Sequence, residues 1–451
     1  MKKSDALPGL ECVVRDPTQS DDNAAATTTA VNVAPPRLRR VDRHQVRMET
    51  YCLDDRLAAD HRARLVWDVV RRLDVSGFME SIAARGSDPG RAATDPQILI
   101  ALWLFATMDN VGSARRLARL CEEHDAYRWL CGGVSLNYHT LSNFRVEHER
   151  MLDGLLTQVI TSLIELGLVK IDRISQDGLR VRASAGKSSF RRRKTLERLK
   201  NEVESDVKRL KRQREDPDDP RSSSQRAAQE RAARERGERI TRALELLPEL
   251  EAIKTHQTGK PSKHREARVS TTDPEVRRMK RGDGSIGPAY NLQFAIDVES
   301  RAAVGVSVAI EGDDRSQSEP MREQIRQRTG QSVKEHLYDG GYVKKTLIES
   351  ASKENVTIYA PLPANNDGEP CTQHRGDTPG VKAWRERMIT DQAKEIYKQR
   401  ASTAETINAD VATHRTLRSL NVRGPTKVRC VALWAILSYN LLHFGSFLVP
   451  S

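Results

Sequence analysis

Residues 291–360 constrain the fold more than any other part of the chain. NLQFAIDVE sets Leu292, Phe294, Ile296 and Val298 against polar neighbours. AVGVSVAI comes within a few residues, so the two read as an antiparallel hairpin. A helix begins at SQSE, where Ser316 and Glu319 have the spacing of a capping box, and it ends at Gly330. VKEHLYDGG is the next strand, a short helix starts at Lys345, and VTIYA, stopped by Pro361, is another strand. Upstream, Leu179, Val181 and Ala183 alternate with Arg180 and Arg182, which marks one more strand. Residues 381–414 are helical again. This order predicts an α/β protein: a mixed sheet of five strands with flanking helices.

An unusual segment separates the first strand from the hairpin. Of the 70 residues in 191–260, 34 are charged, 20 basic and 14 acidic. Leu196, Leu199, Val203 and Leu210 form one narrow apolar stripe, and Ile240, Leu244, Leu247 and Leu250 form a second, with breakers at 217–224. The pattern predicts a charged helical hairpin inserted into the domain. Ahead of the sheet, residues 57–168 read as helical throughout, with a turn at Gly132 and Gly133. Thr140, Asn143 and Arg145 come next, on a helix that suits either a helix-turn-helix or a plain helical bundle. The first 40 residues are rich in Ala, Thr, Asp and Pro without periodicity, which predicts a disordered tail ending in the basic PRLRRVDR.

Composition narrows the partners. A net charge of +12 over 451 residues favours a polyanion, because Lys and Arg release condensed counterions when they neutralise phosphates; a merely soluble basic protein has the same excess. The six cysteines include no CxxC pair, which argues against a structural zinc and for a reducing cytoplasm. The longest apolar run, residues 98–108, is too short for the ~20 residues of a membrane span, so no membrane is expected.

Two aspartates occupy special places. Asp177 lies in the first strand just before Gly178, and Asp339 ends the fourth, with Gly340 and Gly341 directly after it. Open α/β sheets place ligands at the carboxyl ends of strands. A third acid, Glu405, lies on the next helical stretch. Converging carboxylates repel one another unless a cation neutralises them, and hard oxygen donors suit Mg²⁺ or Mn²⁺. Two such ions stabilise the attacking and leaving oxygens of a phosphoryl displacement. Asp172, Asp297, Asp313 and Asp314 read as ordinary solvated acids or caps.

These stretches carry a resemblance. SQDGLRVRASAGKSSFRRR, STTDPEVRRMK with GPAYNLQFAID, GDDRSQSEPMREQI before YDGGY, and YKQRASTAETINAD before NVRGPTKVRCVALWAILSYNLL stand in one order. In that order the chain, from DPQILIALWLF onward, resembles a bacterial insertion-sequence transposase of the DDE type. The resemblance implies an RNase H-like catalytic domain over residues 166–190 plus 263–425, interrupted by the insertion at 191–262. It also implies an all-α DNA-binding domain over 46–165 and a C-terminal helix, 426–451, packing on the catalytic domain; the disordered basic tail over 1–45, read from composition, lies outside the family's pattern. Asp177, Asp339 and Glu405 would be the catalytic, metal-holding triad for two Mg²⁺ ions, with Mn²⁺ able to substitute. Tyr397 and Arg400 match the family's Tyr-x-x-Arg and would contact DNA, together with Arg180, Arg182 and Arg145. The chain departs from many relatives after Glu405, where the next basic residues are His414 and Arg415 in place of a lysine. The expected partners are double-stranded DNA and a second copy in a homodimeric synaptic complex, with no nucleotide cofactor. A nuclease that cuts without joining and a non-catalytic repressor are the alternatives.

Overall fold

The structure, a computed structural model, describes residues 50–80, 92–215, 222–258, 266–312, 314–365 and 367–449, with 44, 46, 48 and 82 besides. The chain divides into two units, Met1–Thr50 and Tyr51–Ser451, and the helices and strands of the described residues all belong to the second. The tail expected over residues 1–45 lies, His44 apart, outside the described residues.

Among the described residues seven α-helices come first: α1 (Arg62–Val70), α2 (Ser76–Met79), α3 (Pro96–Met108), α4 (Ala114–Glu123), α5 (Asp125–Cys131), α6 (Tyr138–Glu147) and α7 (Glu149–Glu165). Local chemistry sets their ends. Asp95 caps α3 by accepting from the Gln97 N–H at 2.8 Å, and Pro96 supplies the first helical position. At the end of α5, Gly132 and Gly133 take φ of +56° and +83°, a turn that a side chain would strain.

The strands begin with β1 (Arg173–Arg182) and the two-residue β2 (Phe190–Arg191). After α8 (Arg193–Glu215) and α9 (Ser223–Thr258) come β3 (Val269–Ser270), β4 (Arg277–Lys280), β5 (Ile286–Asp297) and β6 (Ala303–Ala309). The rest is α10 (Ser318–Thr329), β7 (Glu335–Leu337), α11 (Lys345–Lys353), β8 (Thr357–Tyr359), α12 (Pro379–Met388), α13 (Asp391–Arg400), a π-helical turn over Ala401–Glu405, α14 (Thr406–His414) and α15 (Pro425–Phe444).

The main sheet is mixed. β5 runs antiparallel to β1 with Asp177 opposite Phe294 and Gly178 opposite Gln293, while β7 and β8 continue parallel to β1. β6 and the short β4 share the other edge of β5, both antiparallel, giving the order β6-β5-β1-β7-β8. The hairpin thus forms as its alternation predicts. Its polar residues do not face water, however: Asn291, Gln293 and Asp297 are all buried, because both faces of β5 are covered. α10 also starts one residue later than the Ser316/Glu319 spacing predicts. Its N-cap is Gln317, without a capping side chain, and the Ser318 hydroxyl bonds Tyr338 instead.

One apolar cluster runs from α1, α3, α6 and α7 through α15 to β5 and β6. α15 is its centre, with Trp434 and its neighbours from Val431 to Leu437 buried. Asn440 on α15 closes the edge of β6: its Nδ2 donates to the Ala303 carbonyl at 2.9 Å and its Oδ1 accepts from the Ala303 N–H at 3.0 Å. Those two bonds satisfy an otherwise exposed edge. Residues 425–447 are also long and apolar enough to cross a membrane, but 78% of that apolar window is buried inside the protein, as in a core helix.

The inserted hairpin has its own small cluster of Leu196, Ala243, Leu247, Ala267 and Val269, rooted where β2 pairs with β3. Because that cluster is separate from the main core, replacing residues 193–258 with a short Gly/Ser linker is expected to leave a single cooperative melting transition, lowered by only a few degrees (~2–5 °C, for about 1 kcal/mol of lost packing). Loss of cooperativity by circular dichroism or calorimetry would make the hairpin part of the core.

Candidate active site

Asp177 sits in mid-strand on β1, where Gly178 leaves room beside it. A Cβ at Gly178 would stand 2.6 Å from the Asp314 Oδ1 and 2.7 Å from the Asn291 Oδ1. The Asp177 Oδ1 accepts from the Gly178 N–H at 2.9 Å. The parallel neighbour β7 delivers Asp339 just beyond its end, where the carboxylate caps a short turn by accepting from the Gly341 N–H at 2.8 Å. A Cβ at Gly341 would likewise lie 2.9 Å from the Asp339 Oδ1, so the carboxylate would have to shift. Adjacent parallel strands therefore bring both aspartates to one end of the sheet.

The third acid arrives through an irregularity. In a regular helix, residues five apart diverge by about 140°, so Arg400 and Glu405 would not face each other. The π-helical turn over Ala401–Glu405 takes up one extra residue and brings them to the same side, where the Arg400 Nη1 meets the Glu405 Oε1 at 2.8 Å. The same guanidinium reaches the Asp177 Oδ2 at 3.3 Å. From the next turn, Asn408 donates to that oxygen at 3.2 Å. Arg400 is thus clasped between a strand acid and a helix acid. Among the described residues no three acid, His or Cys side chains stand close enough as placed to hold a metal ion; the guanidinium holds the acids around itself.

The electrostatics agree with this arrangement. Burial pushes the Asp177 carboxyl up to about 6; Arg400 opposes the shift, and Asp339 and Asp314 add to it. Burial works against the charge of Arg400, but Asp177, Tyr397, Asp339 and Glu405 outweigh it and raise its pKa. Burial also raises the hydroxyl of Tyr397, which packs half-buried against the cluster around β7 and β8.

The other expected residues separate. Arg182 is exposed at the end of β1, whereas Arg180 is half-buried and paired with Asp314 at 3.1 Å. Arg145, expected to contact DNA, is turned inward. It stands four residues after Leu141, on the buried face of α6, where its guanidinium donates to the Gly112 carbonyl and lies 4.9 Å over the Trp103 ring. Thr140 and Asn143 of the same helix are exposed. Arg415 is likewise buried, bonded to Asp410 and the Met108 carbonyl, while His414 is exposed. Sequence reading missed Asn408, although its spacing of three from Glu405 puts it on the same helix face. It also took Asp314 for a solvated acid, when that carboxylate is buried beside Asp177.

The raised Asp177 pKa means the folded protein binds its proton more tightly than the unfolded chain does. The stability so gained is complete below about pH 4 and is lost as pH rises through about 6, on the order of 2–3 kcal/mol from this group. Asp177→Asn is expected to remove that loss, so without divalent ions it melts above the wild type at pH 7 and the gap closes towards pH 4; a lower melting temperature at pH 7 would contradict the assignment. Deleting Ser402, which is exposed, should turn the π turn into regular helix and leave Arg400 and the glutamate four residues apart, still on one face. The variant is expected to melt within ~4 °C of the wild type. A larger drop would mean that the extra residue is needed for the packing of α13 and α14.

Two family models match the chain. The Transposase domain (DUF772) covers residues 51–147, from the start of the helical region to the end of α6. The Transposase DDE domain covers residues 373–444, which include Tyr397, Arg400, Glu405 and α15. No curated protein matches the chain. Both matches are to transposase domains, in the order helical region then DDE domain, and they support an insertion-sequence transposase of the DDE type.

Proposed function

We propose that this transposase binds the terminal inverted repeats of its element, hydrolyses a phosphodiester there and joins the freed 3′-hydroxyl to target DNA. One observation carries the reading: the Arg400 guanidinium clasped between Asp177 and Glu405, with Asp339 at the end of the neighbouring strand. An acid from β1 and one from the π turn after α13 pair with the same cation, and a third acid stands just past the end of β7. Their donor set is all carboxylate oxygen, which fits a hard divalent ion in exchange for the guanidinium. A pair of Mg²⁺ or Mn²⁺ ions, when bound, would supply the charge neutralisation and oxygen activation that phosphoryl displacement needs.

The chain's own residues do the rest. Asp177, Asp339 and Glu405 hold the site. Arg400, released from its ion pairs, becomes free to grip a phosphate, and Tyr397 supports it from the same helix. Arg182 supplies a further backbone contact at the rim. The strand order β6-β5-β1-β7-β8, with β5 and β6 antiparallel to their neighbours, supports an RNase H-like catalytic domain over residues 166–190 plus 263–425. Residues 46–165 would recognise element ends, with Thr140 and Asn143 the exposed candidates of α6. Two copies would act together on double-stranded DNA in the bacterial cytoplasm, one per element end.

The test combines the full-length protein, Mg²⁺, a labelled element end and a plasmid. Joined product is expected; cleavage without joining would favour a nuclease. Glu405→Gln keeps the size of the side chain and removes its charge, so DNA binding should survive while cleavage falls about 10³-fold or more. Glu395→Gln, on the exposed face of α13 and paired with Lys398 at 2.6 Å, should be nearly silent. Retained cleavage in Glu405→Gln would remove the third acid from the site.

A further inference from the structure

Asp314 lies in the loop between β6 and α10, and its carboxylate is buried at 5% exposure. Its Oδ1 accepts from the Asn291 Nδ2 at 2.6 Å and from the Gln293 Nε2 at 2.7 Å, and its Oδ2 accepts from the Arg180 guanidinium at 3.1 Å. Three donors hold the buried carboxylate fixed in direction.

The position of this group matters more than its satisfaction. A Cβ on Gly178, the residue after Asp177, would stand 2.6 Å from the Asp314 Oδ1; a Cβ on Gly341, whose N–H the Asp339 carboxylate caps, would stand 3.6 Å from the Asp314 Oδ2. The glycines beside both site aspartates therefore open onto the same third carboxylate. Gln293 extends the connection, accepting from the Tyr342 hydroxyl of the Asp339 turn and from the Gln176 Nε2 beside Asp177. A second observation points into the same place: the Asn291 Oδ1 is fully buried, has no hydrogen-bond partner, and lies 2.7 Å from the Gly178 Cβ position.

We propose that Asp314 is a positioning residue of the acidic centre, the fixed carboxylate against which the Asp177 strand and the Asp339 turn are set. It acts through its neighbours. Asn291 and Gln293 lock β5 beneath Gly178, Gln293 holds Tyr342 and so the Asp339 turn, and Arg180 is kept at the rim. The proposal rests on the reading of Asp177, Asp339 and Glu405 as the cation-holding acids.

Mn²⁺ binding to the DNA-free full-length protein, measured by electron paramagnetic resonance, tests it together with melting curves. Asp314→Asn keeps the volume but removes the charge and turns an amide N–H₂ towards Arg180. It is expected to weaken Mn²⁺ binding about 10–100-fold, the usual cost of losing a group that orients metal ligands, while the protein still melts cooperatively. Gly178→Ala should weaken it similarly, and the double variant should add little, because both disturb one contact. Wild-type affinity in folded Asp314→Asn would overturn the proposal while leaving the acids in place, and so would additive losses in the double variant. Should Asp314→Asn fail to fold, Gly178→Ala decides by the same readout: weakened Mn²⁺ binding supports the proposal and wild-type affinity overturns it. Wild-type Mn²⁺ affinity in Asp177→Asn would be a different failure, removing the cation-holding reading and the proposal with it.

Discussion

The candidate site depends on one guanidinium. Arg400 reaches an acid on β1 and an acid five residues further along its own helix, and it satisfies both with a single planar group. Without a cation at that point, carboxylates from a strand, a turn and a helix would repel one another in a partly buried place. The π-helical turn is what makes the contact possible, since it changes the phase of the helix between Arg400 and Glu405. A local fault in the backbone and a charge pair are thus one device.

Behind that device lies a polar floor that the sheet would not need for stability alone. Gln176, Asn291, Gln293, Asp314 and Tyr342 form a connected network under the two aspartates. A buried polar network is costly when half-satisfied and rigid when complete. Here the donors have carboxylate or amide acceptors, and the network links the strand of Asp177 to the turn that carries Asp339. The apolar counterpart is α15, which joins the helices before the sheet to the sheet itself through Trp434, Ser438 and Asn440. A helix from the end of the chain thereby fixes the site built from its middle.

Much of the fold was legible in the sequence. The strand and helix order, the charged insertion, the glycine turn after α5 and the end of α10 at Gly330 are all local signals, and each forms where the residues place it. What misled were residues whose meaning depends on what covers them. Asn291 and Gln293 alternate with Leu292 and Phe294 in a half-solvated pattern, yet β5 is covered on both faces. Arg145 has the composition of a DNA contact, but four residues from Leu141 it shares the buried face of α6 and serves Gly112 and Trp103. Asp314 reads as a loop acid and is instead buried beside Gly178 at the site.

By itself the sequence determined the elements and the insertion, because periodicity, turn residues and charge act over a few residues at a time. Only the tertiary structure decided which polar groups are withdrawn from water and which cation the acids share. Asp177 and Glu405 are 228 positions apart in the chain, and no local pattern records that the guanidinium of Arg400 stands between them. Burial and charge pairing are properties of the assembled surfaces, and their energies, on the order of a few kcal/mol, depend on neighbours the sequence does not place side by side.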